Sequence, residues 1–377
     1  MSFALKKLVC CLTMACFALG GTAVAAKTVK KAPAKSSRKA APVAKGKKDL
    51  RKIAAAKAAP KRNARKARVR HTLAADGRAG VVRASLQPVR RDAADPLQAL
   101  ITEDQKRAQE LRQAPDASSV RLTAASAFMF NQDNGQVLFE KNPDAQLPMA
   151  SLTKLMTALV VMRSNLPMNE AFTVAREDYY LPSSSFSRLR IGMTFTRDDL
   201  LHIGLTGSDN RAIHLLARSY PGGLPAFVQK MNEIAKELGL KKTVFEEPTG
   251  LSAGNRTTAR EITRIAAEAY RYPKIREYTT SPKLEYSTQG GVIHVRSTNR
   301  LIREGSWDIG MQKTGYTGAA GHCMMLQTEV GSSRVLMVVL NSTSNNNRIL
   351  DMKRMRDWYE KQLGLKSGAA RLPYNLL

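Results

Sequence analysis

The chain has 377 residues and a formal net charge of +29, length enough for one large domain or two modest ones with a sizeable core. The charge is concentrated: residues 27–91 hold 22 Lys and Arg against Asp49 and Asp76, and no Phe, Trp or Tyr. A stretch of that composition cannot bury enough apolar surface to offset its ordering entropy, so the basic character belongs to an arm and gives no ground for a nucleic-acid-binding body.

In chain order, residues 1–25 read as an export signal. Lys6 and Lys7 form its charged start, residues 8–19 an apolar run too short to span a bilayer comfortably, and Ala23-Val24-Ala25 a cleavage site. Three of the four cysteines leave with it. Cys323 then has no partner for an internal disulfide and reads as a small buried apolar residue. The expected place is the periplasm, with the protein soluble or peripherally held on wall or membrane. Residues 26–116 form the basic low-complexity arm, read as disordered, with a short helix possible at Pro96–Gln113. Its Lys/Arg clusters suit anionic envelope polymers and, after an export signal, not nucleic acid. The alternative for the arm is a solvated spacer.

The folded body is expected over residues 117–365, with a short tail at 366–377. Residues 126–130 and 136–140 alternate around Asp133-Asn134-Gly135, a hairpin pattern. A helix is expected from Ser151, then loops and short strands over 164–195. Thr196 and Asp199 form a capping pair that opens the next helix. Thr206-Gly207-Ser208-Asp209-Asn210 interrupts it, and a second helix resumes at Arg211. Further helices follow Pro225, closed by Gly239, and the cap residues Thr258 and Glu261. Strands are expected over 309–316, 321–329 and 334–341, then a helix over 346–363. Hairpin, helices, strands and a closing helix make an α+β fold on an antiparallel sheet, not a βαβ series.

Three short patterns carry chemistry. Ser151 and Lys154 stand three apart, on one face of the expected helix. A hydroxyl beside an amine is a nucleophile beside a base, provided the amine loses its proton. An ordinary Lys titrates near ~10.4, so a base poised near 7 needs about 4 kcal/mol from burial or a second cation. Ser208 and Asn210 lie in the turn between two helices, where side chains can enter a cleft. Lys313-Thr314-Gly315 closes a strand, followed by Tyr316. Each alone has a bland reading: a helix-start Ser with a solvated Lys, a polar turn, a strand end. Their order lifts them, for S-x-x-K, S-x-N and K-T-G together are the set of penicillin-binding proteins and β-lactamases. His202, His214, His294 and His322 show no metal-ligand spacing, so neither metal nor cofactor is expected.

Over residues 125–363 the chain resembles low-molecular-mass penicillin-binding proteins, D-alanyl-D-alanine endopeptidases and carboxypeptidases, nearest the penicillin-binding protein 7 group. Tyr220-Pro221-Gly222-Gly223, Glu247-Pro248-Thr249-Gly250-Leu251-Ser252 and Ala319-Ala320-Gly321-His322-Cys323 add to the three motifs. The resemblance implies a β-lactamase/transpeptidase-like α/β (α+β) fold, an antiparallel sheet flanked by helices with a helical subdomain. It implies peptidoglycan stem peptides as substrate and β-lactam antibiotics as covalent inhibitors. Ser151 would attack and carry the acyl group, Lys154 take its proton, and Ser208 pass a proton to the leaving amine. Asn210 would position the substrate amide. Lys313, with Thr314 and Gly315, would hold the substrate carboxylate, and its charge, ~5 Å away at an effective dielectric of ~20, would disfavour a cation on Lys154 by about 3 kcal/mol. The N–H groups of Ser151 and Tyr316 would form an oxyanion hole. A β-lactamase reading would need Glu246 or Glu247 to activate water, but the Asn expected four residues after the Glu is missing. The remaining rival is an inactive envelope-binding protein. Carboxypeptidases of the penicillin-binding protein 5 type carry a further β domain and an amphipathic anchor. The 64 residues after Lys313 leave no room for both, which favours cross-link cleavage.

Overall fold

A computed structural model describes residues 96–113, 120–179, 187–289 and 291–365. Residues 1–25, read as an export signal, residues 26–95 of the arm and the tail from 366 lie outside the described residues. The chain runs α1 (Pro96–Gln113), β1 (Ser126–Asn131), β2 (Val137–Lys141), β3 (Leu147–Pro148), a 3-10 turn (Ala150–Thr153), α2 (Lys154–Arg163), β4 (Ala171–Thr173), β5 (Thr194–Thr196), α3 (Arg197–Thr206), α4 (Asn210–Arg218) and α5 (Gly223–Glu237). It continues through β6 (Arg256–Thr257), α6 (Ala259–Tyr270), α7 (Pro273–Thr280), β7 (Lys283–Thr288), β8 (Gly291–Arg296), α8 (Arg300–Glu304), β9 (Ile309–Thr317), β10 (Gly321–Val330), β11 (Ser333–Ser342) and α9 (Asn345–Gln362).

The main sheet has the order β2-β1-β11-β10-β9, every neighbouring pair antiparallel. Its central strands are apolar at successive positions because both faces are covered. Phe128, Met325, Leu336 and Val338 face one way, into a core shared with α2 and α6. Met129, Met324, Leu326, Met337 and Val339 face the other way, onto Ile349, Met352 and Met355 of α9. The side-chain period of two thus divides one strand's residues between two cores. Helix α2 lies inside the larger core, buried from Lys154 through Val161.

The expected punctuation forms as read. Gly135 takes φ +74° in the β1–β2 hairpin. Thr196 and Asp199 cap α3 reciprocally and Thr258 caps α6, while Asp209, read only as part of the turn, caps α4 through the Arg211 and Ala212 N–H groups. Met324, Met325, Leu326 and Cys323 are fully buried. Two features differ from the reading. Helices α7 and α8 and the β7–β8 hairpin fall where no element was expected; the hairpin turns Ile293 and Val295 into the larger core and leaves the alternate residues exposed. And α1, read as part of a disordered arm ending at 116, packs on the body. Its Ala108 is fully buried, Asp104 pairs with Arg256 at 2.7 Å, and its Leu111 carbonyl accepts from Asn142 Nδ2 at 2.7 Å. Among the described residues, α1 is the first element of the body.

Candidate active site

The nucleophile turn is built on backbone tension. Strand β3 pairs with β6 (Leu147 with Thr257, Pro148 with Arg256), and Ala150 then takes φ +47°, a conformation costly for a residue with a Cβ. The 3-10 turn that follows places residues three apart directly above one another. Lys154 Nζ therefore stands 3.0 Å from Ser151 Oγ. The same Nζ donates to Asn210 Oδ1 at 2.7 Å and to the Thr249 carbonyl at 2.6 Å. A neutral amine has two N–H donors and one lone pair. With both donors engaged, the lone pair is left for the Ser151 hydroxyl.

Lys154 is fully buried, and burial pushes its pKa down to about 8, against the upward pull of Glu247 and Asp209. Lys313, on β9, is also fully buried and held well below its ordinary value, first by burial and then by Lys154 and Arg348. The expected origin of the Lys154 shift in the Lys313 charge is thus corrected: loss of water is its first cause. Lys313 Nζ donates to Ser208 Oγ at 2.8 Å and to the Thr314 carbonyl at 2.9 Å. Ser208 is held at φ +56° between α3 and α4, local strain of the kind that collects at functional sites.

Close approach explains two glycines. A Cβ on Gly315 would stand 2.9 Å from Ser151 N, and one on Gly250 2.8 Å from it. Strand β9 and the 249–250 peptide therefore flank the nucleophile turn as bare backbone.

A family model described as D-alanyl-D-alanine carboxypeptidase, peptidase S11, matches residues 111–344. A D-alanyl-D-alanine endopeptidase of Pseudomonas aeruginosa is 39% identical over 257 residues, covering 68% of this chain and 83% of that one. The crystal structure of the Streptomyces K15 DD-transpeptidase superposes with a TM-score of 0.60 at 27% identity, over 65% of this chain and 98% of that one. Penicillin-binding protein D2 from Listeria monocytogenes, in its cefotaxime-bound form, gives a TM-score of 0.56 at 29% identity, over 63% of this chain and 97% of that one. The chain belongs to the peptidase S11 family.

As an S11 serine DD-peptidase, it gathers the expected residues into two hydrogen-bonded groups, Ser151 and Asn210 on Lys154 and Ser208 on Lys313, and the two amines act on each other through charge. Thr314 gives Lys313 its carbonyl only: the residue is 3% exposed, with its hydroxyl 2.5 Å from that of Thr298. Asn210, expected only to meet substrate, has its carbonyl oxygen on Lys154. Tyr316 lies open at 61% exposure, its ring stacked on His322 at 4.3 Å. Three contributors were not assigned from sequence. The Thr249 carbonyl and Glu247 sit in the Glu-Pro-Thr-Gly-Leu-Ser stretch, where Glu247 was weighed only as a base for water, and Asn255, three residues past that stretch, was not marked. Arg348, in the first turn of α9, donates to the carbonyls of Gly315 at 3.0 Å and Cys323 at 3.3 Å. Burial pushes it down to about 10. Nothing in its Asn-rich context marked it. Among the described residues, no group of three His, Cys, Asp or Glu is arranged to hold a metal, and no helix is long and apolar enough to cross a membrane.

Proposed function

We propose that this peptidase is a D-alanyl-D-alanine endopeptidase that cleaves cross-links between peptidoglycan stems through an acyl-enzyme on Ser151. The observation that carries the catalytic part is Lys154 Nζ, buried, with both donors engaged and Ser151 Oγ at 3.0 Å. Ser151 Oγ attacks the carbonyl of the D-alanine at the cross-link, and its proton passes to Lys154 Nζ. The Ser151 and Tyr316 N–H groups stabilise the oxyanion. The intermediate collapses, the C–N bond breaks, and Ser208, hydrogen-bonded to Lys313, relays a proton to the departing amine. Lys313 and the Thr314-Gly315 segment hold the carboxylate on the leaving side, and the Asn210 amide N–H steadies the substrate amide. Water then takes the acyl group from Ser151. β-Lactams react at the same serine as strained amides and leave it slowly.

Endopeptidase, carboxypeptidase and transpeptidase share the acyl-enzyme and differ in what leaves and what accepts. The cross-link reading is supported by the Pseudomonas endopeptidase; the alternative is a carboxypeptidase. A β-lactamase reading is disfavoured because both Glu247 carboxylate oxygens are taken by Thr249, Gly250 and Asn255, and Glu246 is engaged by the Ser252 hydroxyl. An export signal at 1–25 and a basic arm that holds the enzyme on anionic envelope polymer belong to the same proposal. Full-length protein would be given cross-linked muropeptide dimers and monomeric pentapeptide. Cleavage of dimers is expected. D-Alanine release from pentapeptide with dimers intact turns the assignment to carboxypeptidase, and no covalent penicillin adduct on Ser151 overturns the mechanism.

A further inference from the structure

The Glu247 side chain is the hub of the loop beside the nucleophile. Its Oε2 accepts from Thr249 N at 2.7 Å and Thr249 Oγ1 at 2.5 Å. Its Oε1 accepts from Gly250 N at 2.5 Å, Asn255 Nδ2 at 2.9 Å and Ser252 N at 3.4 Å. Asn255 is fully buried, reaches Thr153 Oγ1 at 3.1 Å, and accepts from Met149 N on its own carbonyl at 3.1 Å. The pair thus ties the loop to the residues before and after Ser151.

The decisive geometry lies in one peptide unit. The Thr249 carbonyl and the Gly250 N–H belong to the same planar trans peptide, so they point in opposite directions. Glu247 holds the N–H end, and the carbonyl end meets Lys154 Nζ at 2.6 Å. Fixing one end aims the other, and a carboxylate on the N–H also polarises the carbonyl. We propose that Glu247, clamped by Asn255, is a positioning residue for acylation: it acts on Lys154 through the 249–250 peptide and touches no substrate itself. This rests on Lys154 being the base that takes the Ser151 proton.

Electrostatics supports the same role. The charged groups facing Lys154 are Glu247 from the loop, Asp209 from the cap of α4 and Lys313 from β9, with Arg348 acting on Lys313. Glu247 favours the ammonium form of Lys154 and so opposes the effect of burial. Removing its charge while keeping its shape lowers the Lys154 pKa. General loosening of the loop would instead admit water and raise it.

The test is the rate of acylation of the full-length protein by benzylpenicillin from about pH 5.5 to about pH 9.5. Wild-type protein that takes no label refutes the proposed function, not this inference. With wild type active, Glu247→Gln is expected to lower the alkaline plateau at least about tenfold and to move the acid limb to lower pH. A plateau equal to wild type, or an acid limb that stays or moves upward, overturns the inference. Glu247→Asp keeps the charge and shortens the reach. It should lower the plateau and leave the limb in place. If the Gln variant does not fold, a wild-type plateau in the Asp variant overturns the inference by itself.

Discussion

Gly250→Ala is the sharpest test of how closely the loop backs the nucleophile. Gly250 has φ +89°, and a Cβ there would stand 2.8 Å from Ser151 N and closer still to the Ala150 carbonyl. Ordinary contact begins near 3.4 Å. Neither neighbour is a flexible side-chain end; both are backbone of the turn that carries Ser151. The turn or the loop must therefore shift by about 1 Å, and a misplacement of that size costs roughly 100-fold in rate. The left-handed conformation adds about 1–2 kcal/mol for a residue with a Cβ. Gly135→Ala supplies the control, since its φ is +74° and nothing lies within 4 Å of the added Cβ. Both variants should melt lower, by about 2–4 °C per kcal/mol for a body of this size. Only Gly250→Ala should lose acylation by benzylpenicillin, measured by labelling at saturating pH. An acylation rate within about threefold of wild type would refute the argument that backbone packing at Gly250 fixes the nucleophile.

Further expectations follow from the same contacts. Acylation should rise with pH as Lys154 loses its proton, reach half its plateau near the value of about 8 set by burial, and flatten above it; a profile flat between about pH 6 and about pH 9 would remove Lys154 as the base. Lys154→Arg should stay inactive in the same labelling assay, because a guanidinium does not deprotonate in this range. Asp104→Asn breaks the pair with Arg256, whose partners are 5% and 19% exposed; it should cost about 1–3 kcal/mol in thermal melting, and an unchanged melting temperature would mean that α1 contributes nothing to the body. Asp178 is fully buried; although burial pushes its carboxyl up, Arg218 and His214 hold it well below the usual carboxylate range. A depressed folded value means stability present above the unfolded value, near ~3.9, and lost as pH falls below it. The urea-midpoint gap between wild type and Asp178→Asn should therefore shrink between neutral pH and about pH 3, and a constant gap would contradict the assignment.

The chain by itself determined the parts that depend on neighbours in sequence. Apolar runs bounded by turn residues marked the five strands of the sheet, and Thr196 and Thr258 marked helix starts because a cap bonds N–H groups two or three residues away. Ser151 and Lys154 were legible as a pair because a single helical turn brings them together. A helix at 96–113 was legible as a possibility inside the arm, but whether α1 docks depends on Asp104 meeting Arg256, 152 residues away. Tertiary structure alone decided the chemistry of the amine. That Lys154 is stripped of water, that Asn210 and the Thr249 carbonyl occupy its two donors, and that Glu247 bonds the N–H of the same peptide are facts about groups from α2, α4 and a distant loop. Desolvation and hydrogen-bond direction are properties of a three-dimensional surrounding, and no spacing along the chain encodes them. For the same reason Arg348 could not be read in advance: its task is to satisfy two strand carbonyls, and only the packing of α9 beneath β9 and β10 shows that they need it.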